Sequence, residues 1–99
     1  MRFDLKLDFE FRPIGGDVWL SGSTESMDSN HVLFRSAAQV ESETEIEMVF
    51  RMPVPDPCNL ECRGRVTSVE ASPHAGDIIT ASIDHYRFVR LARNTLSIR

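Results

Sequence analysis

Ser26, Asp28 and His31 are the residues whose types and spacing come nearest to a catalytic arrangement in this chain. A serine, a carboxylate and an imidazole are the ingredients of a nucleophilic triad, in which the imidazole takes the hydroxyl proton and the carboxylate orients the imidazole. Here all three lie within one short polar turn, where this geometry is difficult to reach, and no oxyanion-hole motif accompanies them. We therefore expect a protein that is not an enzyme.

The cysteines and histidines do not have the spacing of a metal site. Cys58 and Cys62 are four residues apart, which matches neither the Cys-x-x-Cys of redox and zinc sites nor half of a four-ligand set. Two free thiols are the favoured interpretation, and a local disulfide or a zinc site are the alternatives. The three histidines lie on separate predicted loops: His31, His74 and His85. The sequence predicts no metal and no bound cofactor.

Composition indicates one globular domain spanning residues 1–99, because 41% of the residues are hydrophobic and 26% are charged. No apolar run approaches the ~18 residues of a membrane-spanning helix, and the N-terminus lacks the basic-then-apolar pattern of a signal peptide. We therefore expect a cytoplasmic protein without a membrane span. A net charge of −4 argues against a nucleic-acid polymer as ligand, because affinity for a phosphate backbone depends on clustered basic residues.

The basic residues are almost all arginines, with Lys6 as the one lysine among eleven. Arginine suits bidentate phosphate recognition, so a small dianion remains a candidate ligand where arginines converge. Arg63 and Arg65 share one face of a predicted strand and could form an anion patch with Arg35. A solvated face paired with nearby glutamates is the favoured interpretation. Trp19 is expected to cover the core or the rim of the fold, and anchoring of a partner is the alternative.

Hydrophobic periodicity predicts strands along most of the chain. Strict alternation of apolar and charged residues over 2–12 predicts a long first strand with one buried face, and its regular edge makes a homodimer a candidate assembly. In the fifth strand, Gly64 marks a bulge or a close backbone approach. The mixed spacing of residues 84–93 suits a short C-terminal helix. The five further predicted strands are 18–27, 32–36, 45–52, 60–69 and 78–83.

Six strands joined by short turns predict an all-β fold, a small antiparallel barrel or a curled sandwich. The polar run that ends at His31 and changes directly into Val32-Leu33-Phe34 resembles the centre of a PilZ domain. In that family of bacterial cyclic di-GMP receptors, Asp/Asn-x-Ser-x-x-Gly precedes such an apolar strand. Residues 60–69, with their Gly-Arg-Val core, and residues 83–88 resemble the family's last two strands, and Arg2-Phe3 resembles the end of its Arg-x-x-x-Arg signature. The resemblance covers nearly the whole chain and implies a six-stranded split barrel.

The resemblance also implies where a ligand would bind. In the PilZ family the arginine pair grips the phosphates and guanine bases of cyclic di-GMP, while the polar loop supplies hydrogen bonds. In this chain Arg2 matches one arginine of the pair, and the other would fall upstream of Met1. The positions of the loop are taken by other residue types: Ser26 at Asp/Asn, Asp28 at Ser and His31 at Gly. These four residues form the candidate cyclic di-GMP site.

Two of these departures oppose nucleotide binding. Asp28 would place a carboxylate beside anionic phosphate, where like charges repel. At His31 the missing glycine removes easy access to positive φ and adds a ring where backbone would meet ligand. We therefore expect a PilZ-like bacterial signalling domain with a degenerate cyclic di-GMP site, acting as a ligand-independent interaction module for a protein partner. The alternative is a genuine cyclic di-GMP receptor with an atypical or partner-completed site.

Overall fold

A computed structural model gives the fold and describes residues 2–3, 6–52, 58–72 and 76–90; for residues 2 and 3 it describes the backbone. All regular structure in this part of the chain is β-strand. The described residues therefore contain no helix that is long and apolar enough to cross a membrane. The eight strands are β1 (Arg2–Phe3), β2 (Asp8–Pro13), β3 (Leu20–Asp28), β4 (His31–Ser36), β5 (Glu45–Met52), β6 (Cys58–Glu70), β7 (Asp77–Ser82) and β8 (His85–Arg90).

Six of these strands close into an antiparallel barrel. Around the barrel the order is β3, β2, β5, β6, β7 and β4, and pairing of β4 with β3 completes the ring. Two strands lie outside the ring: β1 pairs with the end of β3, and β8 pairs with the first half of β6. The prediction of an all-β, six-stranded antiparallel barrel is therefore confirmed.

Four phenylalanines fill the centre of the barrel. Phe9 stacks on Phe50 with ring centroids 4.4 Å apart and meets Phe34 edge-on at 4.9 Å, while Phe11 lies 5.1 Å from Phe34. Stacked and edge-on arrangements are those that aromatic quadrupoles favour. These rings come from β2, β4 and β5, so the cluster joins opposite walls of the barrel. Strand β5 has the predicted bounds, and its alternating residues face inward as expected: Ile46, Met48 and Phe50.

The first predicted strand is interrupted. Residues 2–12 were expected to form one strand, but β1 and β2 are separate, and their registers against β3 differ by one residue. At the interruption Leu7 exchanges hydrogen bonds with Thr24: its N–H donates to Thr24 Oγ1 at 2.8 Å, and its carbonyl accepts from Thr24 N–H at 2.9 Å. Strand β2 also lies between β3 and β5, so it does not offer the free edge on which the homodimer expectation rested.

The predicted C-terminal helix is wrong for the residues that the structure describes. Residues 85–90 form β8, antiparallel to β6, and residues 91–93 lie outside the described residues. Tyr86 and Val89 have helix-like spacing, but the residues 85–90 as a whole are rich in aromatic and β-branched types that favour strands. The first half of β6 extends past the end of β7, which leaves its backbone N–H and C=O groups on that edge without a partner in β7. Strand β8 pairs with these groups.

Gly64 is where β6 changes partner from β8 to β7. A Cβ atom at this position would lie 1.7 Å from the carbonyl oxygen of Ser82, the last residue of β7. Just beside it, Arg65 N–H donates to Ser82 Oγ at 3.0 Å and Asp84 N–H donates to the Arg63 carbonyl at 2.8 Å. The close backbone approach expected at Gly64 is confirmed, while the bulge of β6 lies further along, between Val66 and Ser68.

Substitution of Gly64 tests this contact. We expect Gly64→Ala to lower the free energy of unfolding by about 3 kcal/mol or more, because the new methyl group must displace backbone rather than a flexible side chain. Ser68→Ala, on an exposed position of the same strand, is the matched control and should change stability by about 0.5 kcal/mol at most. Urea unfolding of both variants makes the comparison. A loss below about 1 kcal/mol in Gly64→Ala would contradict the close approach.

Candidate functional site

The turn between β3 and β4 is held by the side chain of its first residue. Asp28 Oδ1 accepts the backbone N–H of Asn30 and of His31, both at 2.8 Å. A carboxylate that bonds backbone amides two and three residues ahead is the usual way in which aspartate stabilises a turn. These two N–H donors hold the pKa of Asp28 below its ordinary value, because they stabilise the charged form. On its other side the turn is fixed by Ile83 N–H, which donates to the Asn30 carbonyl at 2.7 Å.

The structure brings the four predicted ligand-binding positions to one end of β3. The backbone of Arg2 lies directly opposite Asp28 in the pairing of β1 with β3. Ser26 lies two residues earlier in the same strand, so it shares a face with Asp28, and His31 begins β4. His31 is exposed, and its φ is not positive, since Glu43 is the one non-glycine residue with positive φ in the described part of the chain. The backbone at the family's glycine position therefore requires no glycine here.

Two cations near the middle of β3, away from the turn, are paired with a carboxylate, since Arg35 lies opposite Ser23. A bulge between Thr24 and Ser26 displaces Glu25, and Glu25 Oε2 accepts from Arg35 Nε at 3.0 Å and lies 3.7 Å from Lys6 Nζ. These three side chains line a cleft of about 730 Å³ to which two further carboxylates, Asp8 and Glu10, contribute. Three carboxylates and two cations make the cleft unfavourable for a dianionic ligand.

A second cleft, of about 480 Å³, lies between Trp19 and β8. The guanidinium of Arg12 is 4.3 Å from the centre of the Trp19 ring, and Arg12 Nε donates to Glu47 Oε1 at 2.8 Å. Trp19 is 37% exposed, so this indole lies outside the buried core of the barrel. The contribution of Arg12 was not anticipated, because the cation–π contact joins two segments whose pairing the sequence does not show.

Glutamates neutralise the arginines that were candidates for an anion patch. Arg63 lies 3.6 Å from Glu47, and Arg65 donates to Glu45 at 2.9 Å. Arg35 is on β4 and paired with Glu25, so it does not join them. The favoured interpretation, a solvated strand face paired with glutamates, is confirmed.

The two cysteines form neither a disulfide nor part of a metal site in the described structure. Cys58 and Cys62 are free thiols on the same strand, and four residues of extended chain separate them by roughly 13 Å, too far for a disulfide. Burial raises the pKa of the Cys62 thiol to about 12, so its reactive thiolate is scarce at neutral pH. Among the described residues no three His, Cys, Asp or Glu side chains are placed to hold a metal ion.

Two exposed aromatic residues on β8 are the feature that sequence reasoning missed. Tyr86 is 60% exposed and Phe88 is 61% exposed, and their rings meet edge-on with centroids 6.2 Å apart. The sequence does contain a signal for this strand, because aromatic and basic residues alternate over 85–88 and place Tyr86 and Phe88 two residues apart. Large exposed apolar side chains that adjoin one another are typical of interaction surfaces.

Comparison with known proteins identifies the fold. No protein-family profile and no curated protein sequence matches the chain. Among solved structures it is similar to the Bacillus subtilis Inhibitor of motility (MotI/DgrA), with a TM-score of 0.73 and 13% identity over 96% of this chain and 44% of that chain. At this identity the likeness shows the fold alone, and it supports the PilZ-like barrel that the sequence predicts. The chain thus spans less than half the length of the structure it matches.

Removal of the Asp28 carboxylate tests its role in the turn. We expect Asp28→Ala to speed the hydrogen exchange of the Asn30 and His31 amides by about tenfold or more, since both lose their acceptor. Ser29→Ala, in the same turn, is the control and should leave both rates unchanged. NMR exchange on the full chain makes the measurement, and unchanged amide rates in Asp28→Ala would contradict the role.

The titration of Asp28 provides an independent check. Because its folded-state pKa lies below the ordinary value of 3.8, the stability that the turn provides is fully present above that pH and is lost as the pH falls through the folded pKa. Carbon NMR of the Asp28 carboxyl should give a midpoint below 3.8. A midpoint at or above the ordinary value would show that the two amides do not donate to it in solution.

Proposed function

We propose that this chain is a PilZ-like bacterial signalling domain that has lost cyclic di-GMP binding and works as a protein-interaction module. The proposal starts from the fold, which the chain shares with part of a larger protein whose name describes an inhibitor of motility. In our proposal this chain acts through contacts with another protein. The domain has no proposed catalytic step, and we place it in the cytoplasm.

The observation that carries the proposal is the bond between Asp28 and its own turn. Backbone N–H groups at a polar turn are natural donors to an external anion. Here the donors of Asn30 and His31 already bond the carboxylate of Asp28. A ligand phosphate would have to displace that carboxylate and then remain beside its negative charge. The position at which the PilZ family has a serine hydroxyl thus supplies an internal anion instead.

The neighbouring charges support the same conclusion. Arg35 and Lys6 both face Glu25, so a phosphate near them would compete with an existing ion pair. These pairs are partly exposed and weak individually. Their effect is to leave the positive charge along the middle of β3 largely neutralised, which weakens the electrostatic attraction that a dianionic nucleotide requires.

A genuine cyclic di-GMP receptor is the second candidate function, and one observation favours it. Pairing of β1 with β3 places the backbone of Arg2 directly opposite Asp28, which is where the resemblance to PilZ domains puts an arginine that contacts ligand. In that case the site would be atypical or would be completed by a partner.

Calorimetry distinguishes the two candidates. When cyclic di-GMP is titrated into the full chain at physiological salt, we expect no saturable heat up to about 1 mM ligand. Asp28→Ser restores the hydroxyl of the family and removes the carboxylate, so any residual binding should be stronger in this variant than in the parent. Micromolar binding by the parent chain that is lost in Arg2→Ala would overturn the proposal in favour of the receptor.

A further inference from the structure

Strand β8 has one paired edge and one edge that no other described strand covers. Its six residues pair with β6 from Cys58 opposite Arg90 to Arg63 opposite His85. In the described part of the chain β8 pairs with no second strand. A free edge of this kind presents a row of backbone donors and acceptors that an additional strand can satisfy.

The two faces of β8 differ in chemistry. Residues directly opposite in an antiparallel pair point to the same face, and Tyr86 and Phe88 lie opposite Cys62 and Leu60. Both β6 residues are buried, whereas Tyr86 and Phe88 are more than half exposed. The inner apolar layer of the barrel thus continues onto β8 and ends there uncovered by the described residues.

The outer face carries rows of charge that run across the strands. In one row Arg12 pairs with Glu47, and Glu47 also faces Arg63, at N···O distances of 2.8 and 3.6 Å. The row ends on β8 at His85, which lies opposite Arg63. In the neighbouring row Arg87 Nε donates to Glu61 at 3.0 Å.

Strand β8 itself contains basic residues and no acidic one: His85, Arg87 and Arg90. A strand added beyond it would continue the alternation of charge in the Glu61–Arg87 row if it placed a carboxylate beside Arg87. In the other row two basic residues, Arg63 and His85, lie opposite one another, and a carboxylate beside His85 would give this pair an acidic neighbour. Opposite charges on facing strands stabilise a sheet, and like charges destabilise it.

This charge pattern argues against a second copy as the occupant. In a two-fold antiparallel pairing of two β8 strands, the matching faces of both strands must lie on the same side of the sheet. Odd-numbered residues then lie opposite odd-numbered residues, and even-numbered opposite even-numbered. In the three central registers Arg87 would then face His85, Arg87 or Val89 of the other copy. None of these is acidic, so each register leaves the exposed Arg87 guanidinium without a new carboxylate partner.

We infer that the free edge of β8 binds an extended segment of another protein in which apolar and acidic residues alternate. Its apolar side chains cover Tyr86 and Phe88, its acidic side chains lie beside His85 and Arg87, and its backbone adds a strand to the sheet. The inference rests on the proposed function and deepens it, because it names the surface and the chemistry of the partner.

Fluorescence anisotropy with synthetic peptides tests the charge requirement. The probe is a dye-labelled, N-acetylated peptide of seven residues that alternates valine with glutamate, and its control alternates valine with lysine. We expect the full chain to bind the glutamate peptide saturably and about tenfold or more tightly than the lysine peptide. Arg87→Glu should reverse this preference. Lys6→Glu makes the same charge change on the far side of the domain and should preserve it.

Backbone methylation tests strand addition itself. Amides of an added strand point alternately toward β8 and away from it. Two peptides are therefore compared, one N-methylated at the odd-numbered amides and one at the even-numbered amides. Methylation of the set that faces β8 should abolish binding, and methylation of the other set should change it less than about threefold. Equal effects of the two methylation patterns would overturn strand addition. Self-association of the chain that excludes the peptide would identify a second copy as the occupant, and peptide binding confined to a chain ending at Arg90 would identify residues 91–99. Either result would overturn the inference.

Failure of this inference is distinguishable from failure of the proposed function. If neither the peptide nor cyclic di-GMP binds, the inference about β8 is overturned. The proposed function then stands, with an interaction module that uses another face. Cyclic di-GMP binding that requires Arg2 would overturn the proposed function whatever the peptide does.

Discussion

The close approach of Ser82 to Gly64 is the contact on which the arrangement of this domain depends. Strand β6 has 13 residues, whereas the other barrel strands have six to nine. Absence of a side chain at Gly64 lets the chain leave β7 at that point and continue along β6 as β8. Strand β7 can then pair with β4 and close the barrel. The same contact therefore creates a closed core on one side and an exposed strand on the other.

The turn that resembles a nucleotide-binding loop lies at this same junction, since Ile83 N–H bonds the carbonyl of Asn30. A turn of this kind can donate its amides to a ligand or to its own side chain. In this chain Asp28 takes them, so the amides of the turn bond a side chain of the turn itself. The turn leads directly into β4, which pairs with β7, and in our proposal the recognition function lies in β8.

Much of the fold could be predicted from the sequence because alternation in strands such as β5 is uninterrupted. The split between β1 and β2 could not, because it reflects a change of register against β3 by one residue between Phe3 and Asp8, and alternation over residues 2–12 does not record it. Strand β8 was mistaken for a helix because its pairing depends on the length of β6. The resemblance placed the site residues at one turn, but it treated Asp28 as a misplaced charge. Its bonds to Asn30 and His31 follow from local turn geometry.

An NMR titration of the isotope-labelled full chain tests the central claim most directly, because it reports the turn and β8 in one sample. With cyclic di-GMP at about 1 mM, the account predicts that the amide signals of Asn30 and His31 stay where they are. With the valine and glutamate peptide, it predicts saturable shifts confined to β8 and the adjoining half of β6. Saturable movement of the turn amides with the nucleotide, and none of β8 with the peptide, would contradict it.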